Sequence, residues 1–320
     1  MLDMLVQIVL LLAGLALVVF GADYLVDGAS AIARRFGLSE FVIGLTIVGM
    51  GTSAPEMVVS FIGAIQGNAD ISLGNVVGSN IFNTLLILGL TALLLPIGVT
   101  RDNRRQDVPV NIFIVVVLIL LGLKQTLFGL GTDGLSRWDG GILLLLFVLY
   151  MWRSFSRPPE EAPAENAKTV KPLLAALMIA GGLGALILGG NLFVDSATAI
   201  AHAAGISDKF VAITILAGGT SLPELATCVV AAAKKKGQLA LGNIIGSNIF
   251  NILLILGGSA LIHPLSFTGI TPVDLGALLL SALALLTACY VGRRNQIDRL
   301  DGALFLLLWA AYMTYLVIHL

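Results

Sequence analysis

The chain has 320 residues, 58% of them hydrophobic and 12% charged, with a mean hydropathy of +0.99 and a formal net charge of −1. Such a composition belongs to polytopic membrane proteins and leaves no stretch for a soluble catalytic or binding domain. It names the lipid bilayer as a partner and calls for no cofactor, no nucleic acid and no protein partner.

The expected fold class is an all-α polytopic membrane protein with ten transmembrane helices. In chain order the apolar stretches fall at about 4–33, 41–66, 71–95, 108–124, 138–152, 172–201, 209–234, 239–262, 272–291 and 300–318, most near the ~20 residues that cross the hydrocarbon. The first has no small-residue cleavage site and carries Asp23 and Asp27 toward its end, so it reads as a retained helix and not a signal peptide. Gly14, Gly21 and Gly28 recur along it, and Gly182, Gly189 and Ser196 take the equivalent places in the sixth span. These stripes suit either close static packing or two helices that slide over a core.

The second and third spans hold residues that apolar helices normally exclude, and the seventh and eighth hold them again. Gly51-Thr52-Ser53-Ala54-Pro55-Glu56 aligns with Gly219-Thr220-Ser221-Leu222-Pro223-Glu224 at an offset of 168 residues. At the same offset Gly74-Asn75-Val76-Val77-Gly78-Ser79-Asn80-Ile81-Phe82-Asn83 aligns with Gly242-Asn243-Ile244-Ile245-Gly246-Ser247-Asn248-Ile249-Phe250-Asn251, in a match running ungapped from Gly21/Gly189 to about Pro96/Pro264. The duplication predicts two five-helix repeats around a midplane ion site. The first spans 1–152 with its motif at 44–97, and the second 172–320 with its motif at 211–265. Between them, 153–171 contains Pro158-Pro159-Glu160-Glu161-Ala162-Pro163 and reads as a short disordered cytoplasmic linker.

Five spans is an odd number, so the second repeat must enter the membrane from the opposite side, and the repeats are inverted. Basic residues support this, because Lys and Arg accumulate in cytoplasmic loops. With the N-terminus outside, the inner loops hold 15 of the 18 basic residues, among them Arg34, Arg35, Arg101, Arg104, Arg105 and Lys234, Lys235, Lys236; the outer loops hold Lys124, Arg137 and Lys209. Both termini are expected on the outer face of a bacterial or archaeal cytoplasmic membrane.

Pro55 and Pro223 have no N–H to give, and their rings collide with the carbonyls of Gly51 and Gly219. The helices should break at both places. Carbonyls released at such breaks face protein or a hydrated cavity and become cation ligands, with Gly49, Ala217 and their neighbours as candidates. Ser53-x-x-Glu56 and Ser221-x-x-Glu224 also fit a capping box. Capping explains the spacing, but not a Glu near the middle of an apolar span, where a charge costs about 2.5–3.5 kcal/mol or more.

On the third and eighth spans Asn75, Ser79 and Asn83, and likewise Asn243, Ser247 and Asn251, are spaced to share one helical face. Gly74-x-x-x-Gly78 and Gly242-x-x-x-Gly246 let those helices press against the broken ones. For Asn75, Asn80, Asn243 and Asn248 interhelical hydrogen bonding weighs at least as much as ligation. The candidate metal ligands are Glu56, Glu224, Thr52, Ser53, Thr220, Ser221, Ser79, Ser247, Asn83 and Asn251, with Gly49 and Ala217 through their carbonyls. An all-oxygen, multidentate set suits Ca²⁺ first, with Na⁺ on the same ligands; a transition metal would want sulfur or imidazole. His202, His263 and His319 form no cluster, and Cys228 and Cys289 lie within spans as free buried thiols. Asp27 and Asp195, also paired by the repeat, read as solvated or loop-capping groups.

The GTSAPE and GTSLPE segments, each followed by GSNIFN, resemble the α-repeats of the sodium/calcium exchangers within the calcium/cation antiporter superfamily. The likeness covers nearly the whole chain and is that of a compact prokaryotic member without the large cytosolic calcium-sensing insert of animal exchangers. It implies alternating-access antiport of Na⁺ against Ca²⁺ on the residues just named, and long first and sixth helices that slide across the core. It also implies that a third Na⁺ moves per cycle, which would make exchange electrogenic. The proton-coupled branch typically has a GNxxE-like sequence where this chain has Thr52-Ser53 and Thr220-Ser221, which favours sodium coupling. Potassium-dependent members are associated with an acidic residue at the position of Asn251, so the resemblance also implies potassium independence.

Three other functions compete. A buried Glu can take a proton in place of a cation, which would give proton/calcium exchange. Polar rings could form the filter of a passive cation channel. An intramembrane hydrolase would need a nucleophile–base pair or a metal-binding His motif, and the spans contain neither.

Overall fold

The computed structural model describes residues 2–156, 170–204, 217–291 and 295–319. Among these residues eight helices are long and apolar enough to cross a membrane, and two further helices bent by 49° at a single break make a ninth span. In chain order these are α1 (Leu2–Phe36), the bent pair α2 (Glu40–Thr52) and α3 (Ala54–Ile65), α4 (Ala69–Leu94), α5 (Asn103–Gly122), α6 (Arg137–Phe155) and α7 (Pro172–Ala203). The shorter α8 (Leu222–Ala233) follows, then α9 (Gly237–Ile262), α10 (Pro272–Tyr290) and α11 (Arg299–His319). The seventh expected span starts outside the described residues, and what is described of it is a turn of helix at Ala217–Gly219 followed by α8. The expected linker is entered later than position 153, because α6 continues to Phe155; the Pro-rich run lies outside the described residues.

The first break falls where Pro55 requires it. Ser53 leaves helical geometry at φ −81° and ψ 8°, and Pro55 sits in the first turn of α3, where its missing N–H costs nothing. α8 opens the same way, with Pro223 in its first turn and Ser221 at φ −88°, ψ 6°. A second irregularity has no signature in the periodicity: α4 and α9 each contain a π-helical stretch, at Phe82–Ile87 and Asn251–Leu256. Both begin at or beside the last Asn of the motif, and such π-turns gather at functional sites.

The small-residue stripes of α1 and α7 face each other. A Cβ added at Gly21 would lie 2.8 Å from the Gly182 carbonyl oxygen, and one at Gly189 would lie 2.8 Å from that of Gly14. The stripes are thus the seam between these two antiparallel helices rather than the surface that meets the core. α9 lies at the centre of the fold. It rests on the backbone of α2, where a Cβ at Gly242 or Gly246 would come within 2.2 Å of the carbonyl oxygens of Phe41 and Leu45. A Cβ added at Gly74 or Gly78 would meet no described neighbour within 4 Å, and 209–213, which the offset places against them, lie outside the described residues. Two antiparallel bridges fasten the ends of the core helices. β1 (Ile97–Gly98), after α4, pairs with β4 (Gln296–Ile297), and β2 (Gly134–Leu135) pairs with β3 (Leu265–Ser266), after α9.

Candidate ion-binding site

The two broken segments meet, and their motif side chains pair across the repeat. Ser53 Oγ donates to Glu224 Oε1 at 2.9 Å, and Ser221 Oγ donates to Glu56 Oε1 at 3.1 Å. Neither serine caps its own helix, so the capping reading of the Ser-x-x-Glu spacing does not hold. Thr220 reaches the Glu56 carboxylate as well. Thr52 stands between the Glu224 carboxylate, Asn243 Oδ1 at 3.1 Å and the Gly49 carbonyl oxygen at 3.4 Å. Both glutamates are essentially inaccessible to solvent, at 1% and 0% exposure. Among the described residues no Lys, Arg or His forms an ion pair with either one.

The helices behind them supply amides and hydroxyls. Ser247 Oγ lies 3.4 Å from the Gly49 carbonyl oxygen, which also accepts from the Ser53 N–H at 3.1 Å. That carbonyl is therefore not freed by the break, since the Ser53 N–H and the hydroxyls of Thr52 and Ser247 all approach it. Asn251 Nδ2 donates to Ser79 Oγ at 3.1 Å and to Asn80 Oδ1 at 3.0 Å, and Asn83 Nδ2 donates to Asn248 Oδ1 at 3.3 Å. Asn75 and Asn243 brace the site from outside: Asn75 Nδ2 bonds the Glu56 carbonyl oxygen and Ser60 Oγ, and Asn243 Nδ2 approaches Cys228 Sγ at 3.3 Å. Ala217 opens the short helix that leads into the second break. Both cysteines are free and buried, and Cys228 occupies the place of Ser60.

Four of the buried oxygens without a hydrogen-bond partner lie on the motif residues themselves. Glu56 Oε2, Glu224 Oε2, Asn83 Oδ1 and Asn251 Oδ1 are all buried without a hydrogen-bond partner. An unsatisfied buried polar atom costs about 1–3 kcal/mol, and an uncompensated buried charge costs more. All four are acceptors, and all four come as repeat-related pairs, so a cation between the repeats would satisfy them together. The neighbouring hydroxyls and carbonyls would complete an oxygen-only shell suited to a hard cation.

A family described as "Sodium/calcium exchanger protein" matches residues 6–156 and 174–318. The chain belongs to the sodium/calcium exchanger family. It is a multi-pass integral membrane ion exchanger and not an enzyme. Among relatives of this exchanger, a putative antiporter CaxA from Alkalimonas amylolytica is 39% identical over 97% of this chain and 98% of its own length. The sodium/calcium exchanger MaX1 from Methanosarcina acetivorans is 32% identical over 97% and 98%. A solved structure of the sodium-calcium exchanger NCX_Mj, soaked with 10 mM Na⁺ and no Ca²⁺, superimposes with a TM-score of 0.84 at 34% identity, covering 97% of this chain and 99% of that one.

Three features of the exchanger site were not expected from the sequence. Thr84 touches the amide network, yet has Ile252 as its counterpart, so the repeat gives no signal for it. Leu183 and Val194 of α7 lie against the two motif glycines, so that a Cβ at Gly51 or Gly219 would come within 2.7 and 2.6 Å of them. Asp27, expected to be a solvated or loop-capping group, is paired: Lys234 Nζ lies 2.7 Å from Asp23 and 2.8 Å from Asp27, and Lys236 Nζ lies 3.1 Å from Asp27.

Proposed function

We propose that the protein is an antiporter that exchanges Na⁺ for Ca²⁺ by alternating access, with Glu56 and Glu224 as the charged ligands. Thr52, Ser53, Thr220, Ser221, Ser79, Ser247, Asn83 and Asn251, with the Gly49 and Ala217 carbonyls, complete the shell. The observation that carries the reading is the quartet of orphaned oxygens around two buried carboxylates. Two negative charges balance one Ca²⁺ or two Na⁺, which is why one site can serve both ions in turn. The chain is read as ten spans in two inverted repeats with both termini outside a bacterial or archaeal cytoplasmic membrane, in keeping with the placement of its basic residues. Exchange is read as electrogenic, because the family resemblance implies a third Na⁺ per cycle beyond the two that balance the carboxylates, and as independent of K⁺, since Asn stands at both 83 and 251.

Purified protein in vesicles tests all of this at once. With Na⁺ inside and labelled Ca²⁺ outside, uptake should require internal Na⁺, respond to membrane potential, and be unchanged when K⁺ is replaced by an inert cation at clamped voltage. Uptake driven by a proton gradient without Na⁺ would establish proton coupling instead, and Ca²⁺ flux without any counter-ion would establish a channel.

A further inference from the structure

Away from the ion site, an open cavity combines an arginine with apolar walls. It lies where the end of α6 meets the start of α5, encloses about 450 Å³, and is lined by Gln106, Leu149, Trp152, Arg153 and Ser156. That volume falls within the range of small-molecule sites.

The four lining residues of α6 are spaced i, i+3, i+4 and i+7, so they form one stripe along the helix, and Leu145 extends it by a turn toward the middle. From the middle outward the stripe runs Leu145, Leu149, Trp152, Arg153, Ser156: apolar, aromatic, cationic, hydroxyl. α6 has 19 residues, or roughly 28 Å at the rise of an α-helix, close to the thickness of the hydrocarbon layer. Trp138 and Trp152 mark its two ends, 86% and 71% exposed, where tryptophan gathers at membrane–water interfaces. Arg153 therefore stands at the level of the headgroups, with the exposed Leu145 and Leu149 beside the acyl chains. The order of the stripe is the order of a phospholipid.

The guanidinium is held in place but not neutralised. Arg153 Nη2 donates to Gln106 Oε1 at 2.6 Å, and Gln106 Nε2 donates to Asp102 Oδ1 at 3.1 Å. Among the described residues no carboxylate forms an ion pair with Arg153, so the rest of its planar fork is open to phosphate oxygens. Arg101 and Arg105 are exposed at the opening of α5, in the same turns as Asp102 and Gln106. Whatever a headgroup carries beyond its phosphate thus faces further positive charge, which suits glycerol or a second phosphate and disfavours choline.

We propose that this cavity binds an anionic phospholipid, with the phosphate on Arg153 and the chains along Leu149 and Leu145. On the orientation read above the lipid belongs to the cytoplasmic leaflet. The inference does not depend on which ions the protein exchanges.

Native mass spectrometry of the purified protein in detergent tests it, with dioleoylphosphatidylglycerol or dioleoylphosphatidylcholine added in increasing amounts. The first phosphatidylglycerol should bind wild type about fivefold more tightly than phosphatidylcholine, the factor that one basic side chain contributes at a lipid surface. Arg153→Ala should remove most of that preference. Arg35→Ala takes one charge from the same basic side of the membrane, at the end of α1, and should leave the preference as in wild type. Equal losses in the two variants would show diffuse attraction to a basic surface and overturn the site, as would equal affinity of wild type for the two lipids. Glycerol 3-phosphate offers the headgroup chemistry without chains and should not compete at equal concentration; full competition would make this a site for soluble anions and discard the lipid. Should Arg153→Ala not fold, Arg153→Gln keeps an N–H for Gln106 and is read the same way.

Discussion

α4 and α9 carry the same motif and stand in different surroundings. Along α9, Gly242, Asn243 and Gly246 are buried, whereas on α4 Gly74 is exposed and Asn75 and Gly78 are half-buried. Among the described residues the motif is thus less covered toward the α3–α4 turn, here the approachable end, than toward the α8–α9 turn, the enclosed end. The enclosed end also carries the ion pairs of Lys234 and Lys236 with Asp23 and Asp27. At the approachable end Gln66, Asn68, Asn191 and Asp195 take those places, with no ion pair among the described residues. A duplicated sequence therefore builds a symmetric set of buried oxygens inside an asymmetric shell. On the alternating-access reading the shell is the part that must change.

The largest effects should fall where the repeats are alike. Glu56→Gln and Glu224→Gln keep size and some hydrogen bonding but halve the negative charge offered to a divalent ion. Breaking a buried charge pair costs about 3–5 kcal/mol, so each variant should lose roughly a hundredfold or more in Na⁺-dependent Ca²⁺ uptake while remaining folded. The two losses should also be similar, since each carboxylate is bonded by the other repeat's serine. Near-normal flux in either variant would remove the pair from the site.

The next effect separates the repeats. Gly246→Ala places a methyl 2.2 Å from the Leu45 carbonyl oxygen, while at Gly78 no described residue comes within 4 Å. Overpacking of a rigid core costs about 1–3 kcal/mol. Thermal unfolding in detergent should show Gly246→Ala clearly destabilised and Gly78→Ala close to wild type; equal shifts would mean that α4 is as tightly enclosed as α9.

These contrasts mark how far the sequence could be read. The burial of Glu56, Glu224 and the motif oxygens and the breaks at Pro55 and Pro223 were legible because each is expensive in an apolar span and each occurs twice. Which partner each side chain chooses was not, since Ser53 bonds Glu224 rather than its own helix, a choice made by packing of segments 171 positions apart. The π-turns at Phe82–Ile87 and Asn251–Leu256 leave apolar periodicity almost unchanged and so escape it. Thr84 and the lysine–aspartate cluster were missed for a shared reason: they are the places where the repeats differ, and the duplication that exposed the site hides whatever is not duplicated.

The smallest effect concerns that cluster. Lys234→Gln with Lys236→Asn copies Gln66 and Asn68 onto the enclosed end, making it resemble the approachable one. The side chains of Asp23 and Asp27 are about half exposed, at 50% and 44%, so each pair is worth only about 0.2–1 kcal/mol and is weakened by salt. Their joint loss should shift an equilibrium between enclosed and opened forms about two- to tenfold. Cys228 is a native reporter of that opening, being buried beside Ala240 and Asn243 at this end. With Cys289 replaced by Ala, a small impermeant thiol reagent added to purified protein should modify Cys228 about two- to tenfold faster in the double variant. High ionic strength should raise the wild-type rate toward the variant's and leave the variant's own rate unchanged. Identical rates in both proteins at every salt concentration would show that the ion pairs do not hold this end shut, and the asymmetry would then rest on the close packing of α9 against α2 alone.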